Sequence, residues 1–532
     1  VKKATFLAMS ALLVLSTLLS ACSSSNSSKQ STIIIGRGGD SPALDAAIVT
    51  DGESLKITIQ ITETLLKFKS GTTEVEPLLA SAMPDISSDG LTYKFKLRKG
   101  IKFHDGTDFN AEAVVFNFNR WLDPSSPYKF GEEDSFDYFN DMFGAAEDSV
   151  IKEVIALDEH TVQFTLRNPQ APFLQNIAMP SFAISSPKAI QEKKEKYKEE
   201  PVGTGPFKFQ EWKRNDSITL VKNPDYWQKG LPKSDKLIIR SIPDNSARLL
   251  ALRSGEVDLI EDVNPSDRDT VKSDSTLVEI LRPSFNIGYV GFNTKKAPFD
   301  NPKVRQALSY AVDKQALIDA FYGGSAIPAI NPMPPAVLGY NDKVKDYPFD
   351  LDKAKELLAA AGYPNGFDRE LTFYAMPVSR PYMPDGKKVA EAIQANFAKI
   401  GVKTKIVSPE WPVYLDDTKV GDKDDLFMLG WTGDNGDPDN FLYTLLDKET
   451  VGSNNRAFYV NEDLHKLLKD AQNNPDQKKR EEWYKQAQVI IKEDAPWIPL
   501  VHSTPLLAAK KDLKGYSPSP TGVESYMEMY LK

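Results

Sequence analysis

Cysteine is nearly missing from this 532-residue chain: Cys22 is the only one, so no intrachain disulfide framework can form. Histidine is scarce too. His104, His160, His465 and His502 are scattered without any H-x-x-x-H-like ligand spacing, which argues against zinc chemistry. A formal net charge of −9 argues against the basic face that nucleic-acid binding needs. Glycine-rich phosphate loops are absent, and so is the G-x-S-x-G elbow of a serine hydrolase. No cofactor, metal or nucleic-acid partner is therefore expected. What remains is an ordinary globular composition on a chain too long for one core, so two or three domains are expected.

The longest apolar run is N-terminal. Val1-Lys2-Lys3 precedes ATFLAMSALLVLSTLLSA, and Leu19-Ser20-Ala21-Cys22 resembles the bacterial lipoprotein box, in which the signal is cut before a cysteine that is then lipidated. A transmembrane helix is the alternative, but the run sits at the lower length limit and SSSNSSKQS follows it rather than a basic stop-transfer flank. Residues 1–21 are read as a lipoprotein signal peptide, Cys22 as the lipidation site and 22–30 as a flexible tether. A lipidated Cys22 leaves no thiol in the mature chain, which excludes a cysteine nucleophile. The chain is expected on the extracytoplasmic face, periplasmic or cell-surface, held to the membrane by this anchor.

The first half reads as strands joined by polar hairpins. Tyr93, Phe95 and Leu97 alternate with Lys94, Lys96 and Arg98, as in a strand with one solvated face. Asn110 caps an amphipathic helix, Thr50-Asp51-Gly52 reads as a turn, and the run EKKEKYKEE (192–200) reads as a solvated helix end. Near Asn286 the character changes to long helices alternating with strands. Asn301 and Pro302 open a helix expected to run from 301 to 321, and Asp350 opens another that Gly362 and Pro364 close. After about 503 the first character returns. Two lobes with more than one connecting segment would have this pattern.

One stretch of the second half, Leu371 to Leu445, carries the functional lead. LTFYAM, VKTKIV and LFMLGW read as strands, and a helix over 387–400 separates the first two. Strands so connected are parallel, and ligands of such sheets sit outside the strands' carboxyl ends. Arg380 and the cluster Asp434, Asp437 and Asp439 follow two of those ends, so one cation and one anion at a single edge could clamp a zwitterion. Plainer alternatives stand beside this: a solvated loop arginine, and an aspartate serving turn chemistry or a helix cap. A calcium loop fails, because Gly436, Pro438 and Lys448 fall where ligands are required.

The lipoprotein box, LASAMPDISSDGLTYKFKLRKGIKFHDGTDF, PVGTGPF, NIGYVGFN, NPKVRQALSYAVDK and GWTGDNGDPDNF together resemble the peptide/nickel class of bacterial ABC-transporter solute-binding proteins, from about Thr32 to Tyr530. The resemblance is strongest to the dipeptide binders of that class. It implies an α/β periplasmic-binding-protein-like fold of two lobes joined by a hinge, with the first lobe split into two subdomains. Lobe I would span 31–285, with 503–532 returning to it, and lobe II 286–502, with closure about segments near Asn286 and His502. It implies a monomer that binds a small peptide, closes on it, and delivers it to a membrane permease driven by separate ATPase subunits. In dipeptide binders an arginine of an x-x-R-P-Y loop holds the ligand carboxylate and an aspartate of the G-W-T-G-D turn pairs the ligand amine; Arg380 and Asp434 match them. Thr50 and Gly52 from the first lobe, and Tyr382, Trp411 and Trp431 as pocket walls, are carried over with them. One extra residue between Trp411 and Trp431 is a departure expected to lengthen a loop.

Other ligands within the class are the nearest rivals: longer oligopeptides, nickel complexes, haem or opine-like compounds. An extracytoplasmic peptide hydrolase and a lipid-anchored adhesin are rivals of another kind. Arg380 with Asp434 speaks against the rivals within the class, the absent nucleophile motif speaks against the hydrolase, and an adhesin would show no thermal shift with small ligands.

Overall fold

A computed structural model describes residues 31–130 and 135–532. Cys22, the signal peptide and the tether expected before residue 31 lie outside the described residues. No helix among the described residues is long and apolar enough to cross a membrane.

The chain is a two-lobe α/β protein built on two large mixed sheets. The first sheet has seven strands, in the order Leu277–Leu281, Leu506–Lys510, Leu259–Ile260, Thr32–Arg37, Lys236–Ser241, Ser217–Lys222 and Phe207–Lys213. Its centre is parallel, Thr32–Arg37 lying between Leu259–Ile260 and Lys236–Ser241, and its flanks are antiparallel. A four-stranded antiparallel sheet of Asp85–Ile86, Thr92–Lys96, Thr161–Leu166 and Ile151–Asp158 belongs to the same lobe. It has its own aromatic core around Phe95, Phe118, Phe164 and Phe173, which splits the lobe in two. The second lobe is built on six strands, in the order Ala326–Pro328, Trp497–Ser503, Asn286–Phe292, Leu426–Thr432, Leu371–Tyr374 and Thr404–Val407. Apolar clusters cover both of its faces, which is why Asn286–Phe292 and Trp497–Ser503 are buried at every position.

Local signals do what their chemistry requires. Asn110 accepts from the Ala113 amide at 3.0 Å and starts helix Ala111–Leu122. Gly401, at φ +79°, follows helix Gly386–Ala398 and turns the chain into strand Thr404–Val407. Three expectations need correction. The single helix expected over 301–321 is two, Pro302–Tyr310 and Lys314–Phe321, because Asp313 accepts from the Ala316 amide and caps a new helix. The stretch between the strands VKTKIV and LFMLGW, expected to be a long connection, contains helix Trp411–Val420, in whose charged sequence Tyr414 and Thr418 face inward. Asp51 is a helix cap as well as part of a turn: it accepts from the Ser54 amide at 2.9 Å to start helix Gly52–Ile61.

The main chain passes between the large sheets at 282–285 and at 504–505. Asn286 ties the two passages together: its amide donates to the Ser503 carbonyl at 2.9 Å, and its oxygen accepts from the Ser503 amide and hydroxyl. Beside it, His502 lies on the Asn286 carbonyl at 2.7 Å, and burial holds its imidazole down to about 4, in the neutral form.

Candidate functional site

Leu371–Tyr374 and Leu426–Thr432 are parallel neighbours, Tyr374 opposite Phe427, so the loops after both leave from one sheet edge. The antiparallel strand Asn286–Phe292 begins at that edge, Asn286 opposite Thr432. Arg380 lies in the loop after the first strand and Asp434 in the turn after the second, as the strand pattern led one to expect.

Asp434 is held on every side. Its Oδ1 accepts from the hydroxyl of Tyr138 at 2.8 Å, and Tyr138 belongs to helix Asp137–Phe143 of the first lobe. Its Oδ2 accepts from the Asn440 amide at 3.1 Å, and its own N–H donates to the Asn440 oxygen at 2.9 Å. That same oxygen accepts from Trp431 Nε1 at 3.0 Å, so Asn440 fixes the aspartate and the tryptophan together. Burial pushes the Asp434 carboxyl up to about 6, against the lowering effect of the Tyr138 and Asn440 bonds; nearby Asp141 adds to the rise.

The rest of the turn is structural. Asp437 is fully buried and receives Arg480 at 2.7 Å on both oxygens. Asp439 accepts from Gln472 at 3.1 Å, and burial together with the charge of Asp437 raises it to about 7. Asn435 donates to Asn176 of the first lobe at 2.9 Å, so the turn is also where the lobes touch.

Arg380 is exposed by contrast, and its guanidinium donates to the Ser379 carbonyl at 3.2 Å. Among the described residues no ion pair forms to it, and no hydrogen bond joins it to Asp434. Its main chain closes a tight turn with Met383, N–H to O at 3.0 Å and 2.8 Å in the two directions. Tyr382, inside that turn, lies on the sheet: its carbonyl accepts from Tyr322 at 2.9 Å, and the Arg380 guanidinium beside its hydroxyl counters part of the burial that raises the phenol.

The remaining expected residues are dispersed around this edge. Trp431 closes its strand and is half-buried. Trp411 stacks on Tyr414 with ring centres 5.5 Å apart, and the Tyr414 hydroxyl bridges the Tyr374 and Met428 carbonyls. Thr50 and Gly52 are exposed at the start of helix Gly52–Ile61 in the first lobe, and Asp51 between them is an electrostatic neighbour of Tyr138.

Two members of the site were not legible. Tyr138 sits in DSFDYFNDMF, where an aromatic reads as core; Asn440 follows Pro-Asp at a helix start, where it reads as a capping residue. Among the described residues one acid–histidine trio, Asp447, Glu449 and His465, is compact enough to share a cation. Within it a His465 ring nitrogen lies 3.0 Å from an Asp447 oxygen, and Lys469 pairs with Glu449 at 3.3 Å.

A family model described as bacterial extracellular solute-binding proteins, family 5, middle, matches residues 74–453. Heme-binding protein A of Haemophilus influenzae is 42% identical over 500 residues, covering 92% of this chain and 89% of its own. An ABC transporter-associated periplasmic binding protein from Helicobacter pylori, solved with the peptide STSA, aligns with a TM-score of 0.84 at 39% identity, over 95% of this chain and 99% of the other. A dipeptide-binding protein from Pseudoalteromonas sp. SM9913, solved with Met-Leu, aligns with a TM-score of 0.85 at 31% identity, over 94% of this chain and 100% of the other.

Proposed function

Because the chain belongs to the family 5 bacterial extracellular solute-binding proteins, a family of binding proteins rather than enzymes, we propose that it captures dipeptides for an ABC importer. Asp434 takes the ligand ammonium and Arg380 the ligand carboxylate. The observation that carries this is the placement, beyond adjacent parallel strands, of a partly buried, hydrogen-bonded carboxylate and an exposed guanidinium that has no ion-pair partner among the described residues.

With a carboxyl near 6, Asp434 is ionised at neutral pH inside a largely desolvated turn, where an incoming ammonium regains the lost solvation. Charge-assisted bonds of this kind contribute roughly 1.5–3 kcal/mol each, or about 10- to 150-fold in affinity. Arg380 offers a planar fork suited to a carboxylate. With both ends fixed, ligand length is selected and side-chain identity is left to the walls, for which Tyr382, Trp411 and Trp431 are the candidates and Thr50 and Gly52 the first-lobe contacts. Closure of the lobes at Tyr138 and Asn435 follows capture. A permease with separate ATPase subunits takes the peptide onward, and lipidated Cys22 keeps the protein at the membrane.

Haem is the second reading, favoured by the 42% identity to a heme-binding protein. Two of the four histidines are committed to backbone carbonyls, His104 to Gly205 at 2.9 Å and His502 to Asn286 at 2.7 Å, and both are buried and neutral. Calorimetry on ligand-stripped protein with di-, tri- and tetra-alanine and with hemin separates the readings. Dialanine is expected to bind tightest, and N-acetylation or C-terminal amidation each to cost at least tenfold. Hemin binding with dialanine inert would overturn the proposal.

A further inference from the structure

The Arg380 loop rests on two glycines. Gly288 and Gly430 are register partners on the neighbouring strands Asn286–Phe292 and Leu426–Thr432. The next pair on the same face, Val290 and Met428, is large and packed into the core, so the glycine pair cuts a notch in an otherwise filled face. Tyr382 drops into it. A β-carbon at Gly430 would lie 2.3 Å from two atoms of the Tyr382 ring and 2.5 Å from the Ile287 carbonyl oxygen of the neighbouring strand, and one at Gly288 would lie 2.5 Å from the Tyr382 carbonyl oxygen. Neither glycine has a positive φ, so close approach rather than backbone conformation requires them. The buried Tyr322 hydroxyl then fastens the Tyr382 carbonyl at 2.9 Å, and the fully buried Met383 anchors the far end of the turn that begins at Arg380.

We propose that the Gly288–Gly430 notch is a specificity determinant: by seating Tyr382 it sets how far Arg380 stands from Asp434, and so the peptide length the cleft accepts. This rests on the assignment of Arg380 to the ligand carboxylate. A methyl group at 430 forces the ring outward by about 1 Å or more before ordinary contact is regained, and Arg380, two residues away in a closed turn, moves with it. Glycine here therefore does a job that a lone exposed arginine cannot do for itself. It gives a flexible side chain a fixed root.

The test uses the full chain carrying Gly430→Ala and, separately, Tyr322→Phe, which leaves the strands untouched and removes one hydroxyl. Calorimetry measures dialanine, dialanine amide and tetra-alanine; hydrogen exchange follows the amides of Arg380 and Met383. Gly430→Ala is expected to weaken dialanine at least tenfold and tetra-alanine less than threefold, with faster exchange of both amides. Tyr322→Phe is expected to shift the ratio in the same direction, by less. Wild-type protein that binds dialanine and its amide alike overturns the assignment of Arg380, and this proposal with it. Wild-type protein that tells them apart, while both variants keep its dialanine-to-tetra-alanine ratio, overturns the notch alone, whatever the exchange rates.

Discussion

The two ends of the proposed clamp are built on opposite principles. At Asp434 the functional group itself is fixed: three hydrogen bonds reach its carboxylate and amide, one of them from the other lobe, and burial has already shifted its proton affinity. At Arg380 the group is exposed and its root is fixed, through Tyr382, Tyr322 and Met383. A buried carboxylate without such bonds would carry the cost of desolvation, whereas a guanidinium in water carries none until ligand arrives. On the proposed reading, one end would recognise by preorganised charge and the other by reach.

The sharpest way to break this contrast is to neutralise each end. Asp434→Asn should weaken dialanine by about 3 kcal/mol, more than a hundredfold, since it removes the charge that would face the ligand ammonium from a partly desolvated site. Arg380→Ala should cost about 1.5–3 kcal/mol against dialanine and little against its amide. Equal losses for the amide and the free acid in calorimetry would show that Arg380 does not read the carboxylate.

Acid should reach one end only. The Asp434 carboxyl titrates near 6 while the ligand's own termini titrate near 3.5 and 8, so between pH 6 and 5 dialanine affinity should fall toward tenfold per unit, and Asp434→Asn should abolish that slope. The stability effect has the opposite sign. A carboxyl raised from 3.8 to about 6 binds its proton more tightly in the folded chain, so its burial costs stability above pH 6, and that cost disappears as pH falls through 6 toward 4. Thermal unfolding of the wild type and Asp434→Asn across this window measures it; curves that run parallel would contradict the burial.

Smaller effects sharpen the contrast. Asn440→Ala strips a donor from Asp434 and an acceptor from both Trp431 and the Asp434 amide, and should destabilise by about 1–3 kcal/mol in urea titration while moving the affinity midpoint to higher pH. Tyr138→Phe removes a single bond between the lobes. About 1 kcal/mol is at stake, visible as a larger radius of gyration of the dialanine-bound protein in solution scattering.

Much of the architecture was legible because it is written in local chemistry. Capping residues, left-handed glycines and apolar periodicity located most helices and strands of the second lobe, and the order strand, helix, strand sent Arg380 and Asp434 to one edge. The errors also have local causes. Asp313 caps a second helix where one was expected, and helix Trp411–Val420 hides behind a charged sequence because, among its described side chains, Tyr414 and Thr418 alone are buried. Tyr138, Asn440 and the role of Gly430 were out of reach. Each acts across a gap in sequence or between strands, and its own neighbours give no sign of it.

The sequence by itself determined which residues could carry opposite charge at a strand end, and the family motifs named them. Only the tertiary structure decided that Asp434 meets a tyrosine 296 residues away, that Asp437 belongs to Arg480 instead, and that Tyr382, two residues from Arg380, packs on two glycines. The reason is physical. Side-chain type sets what a group can bond, while desolvation and spacing arise only when distant segments pack together.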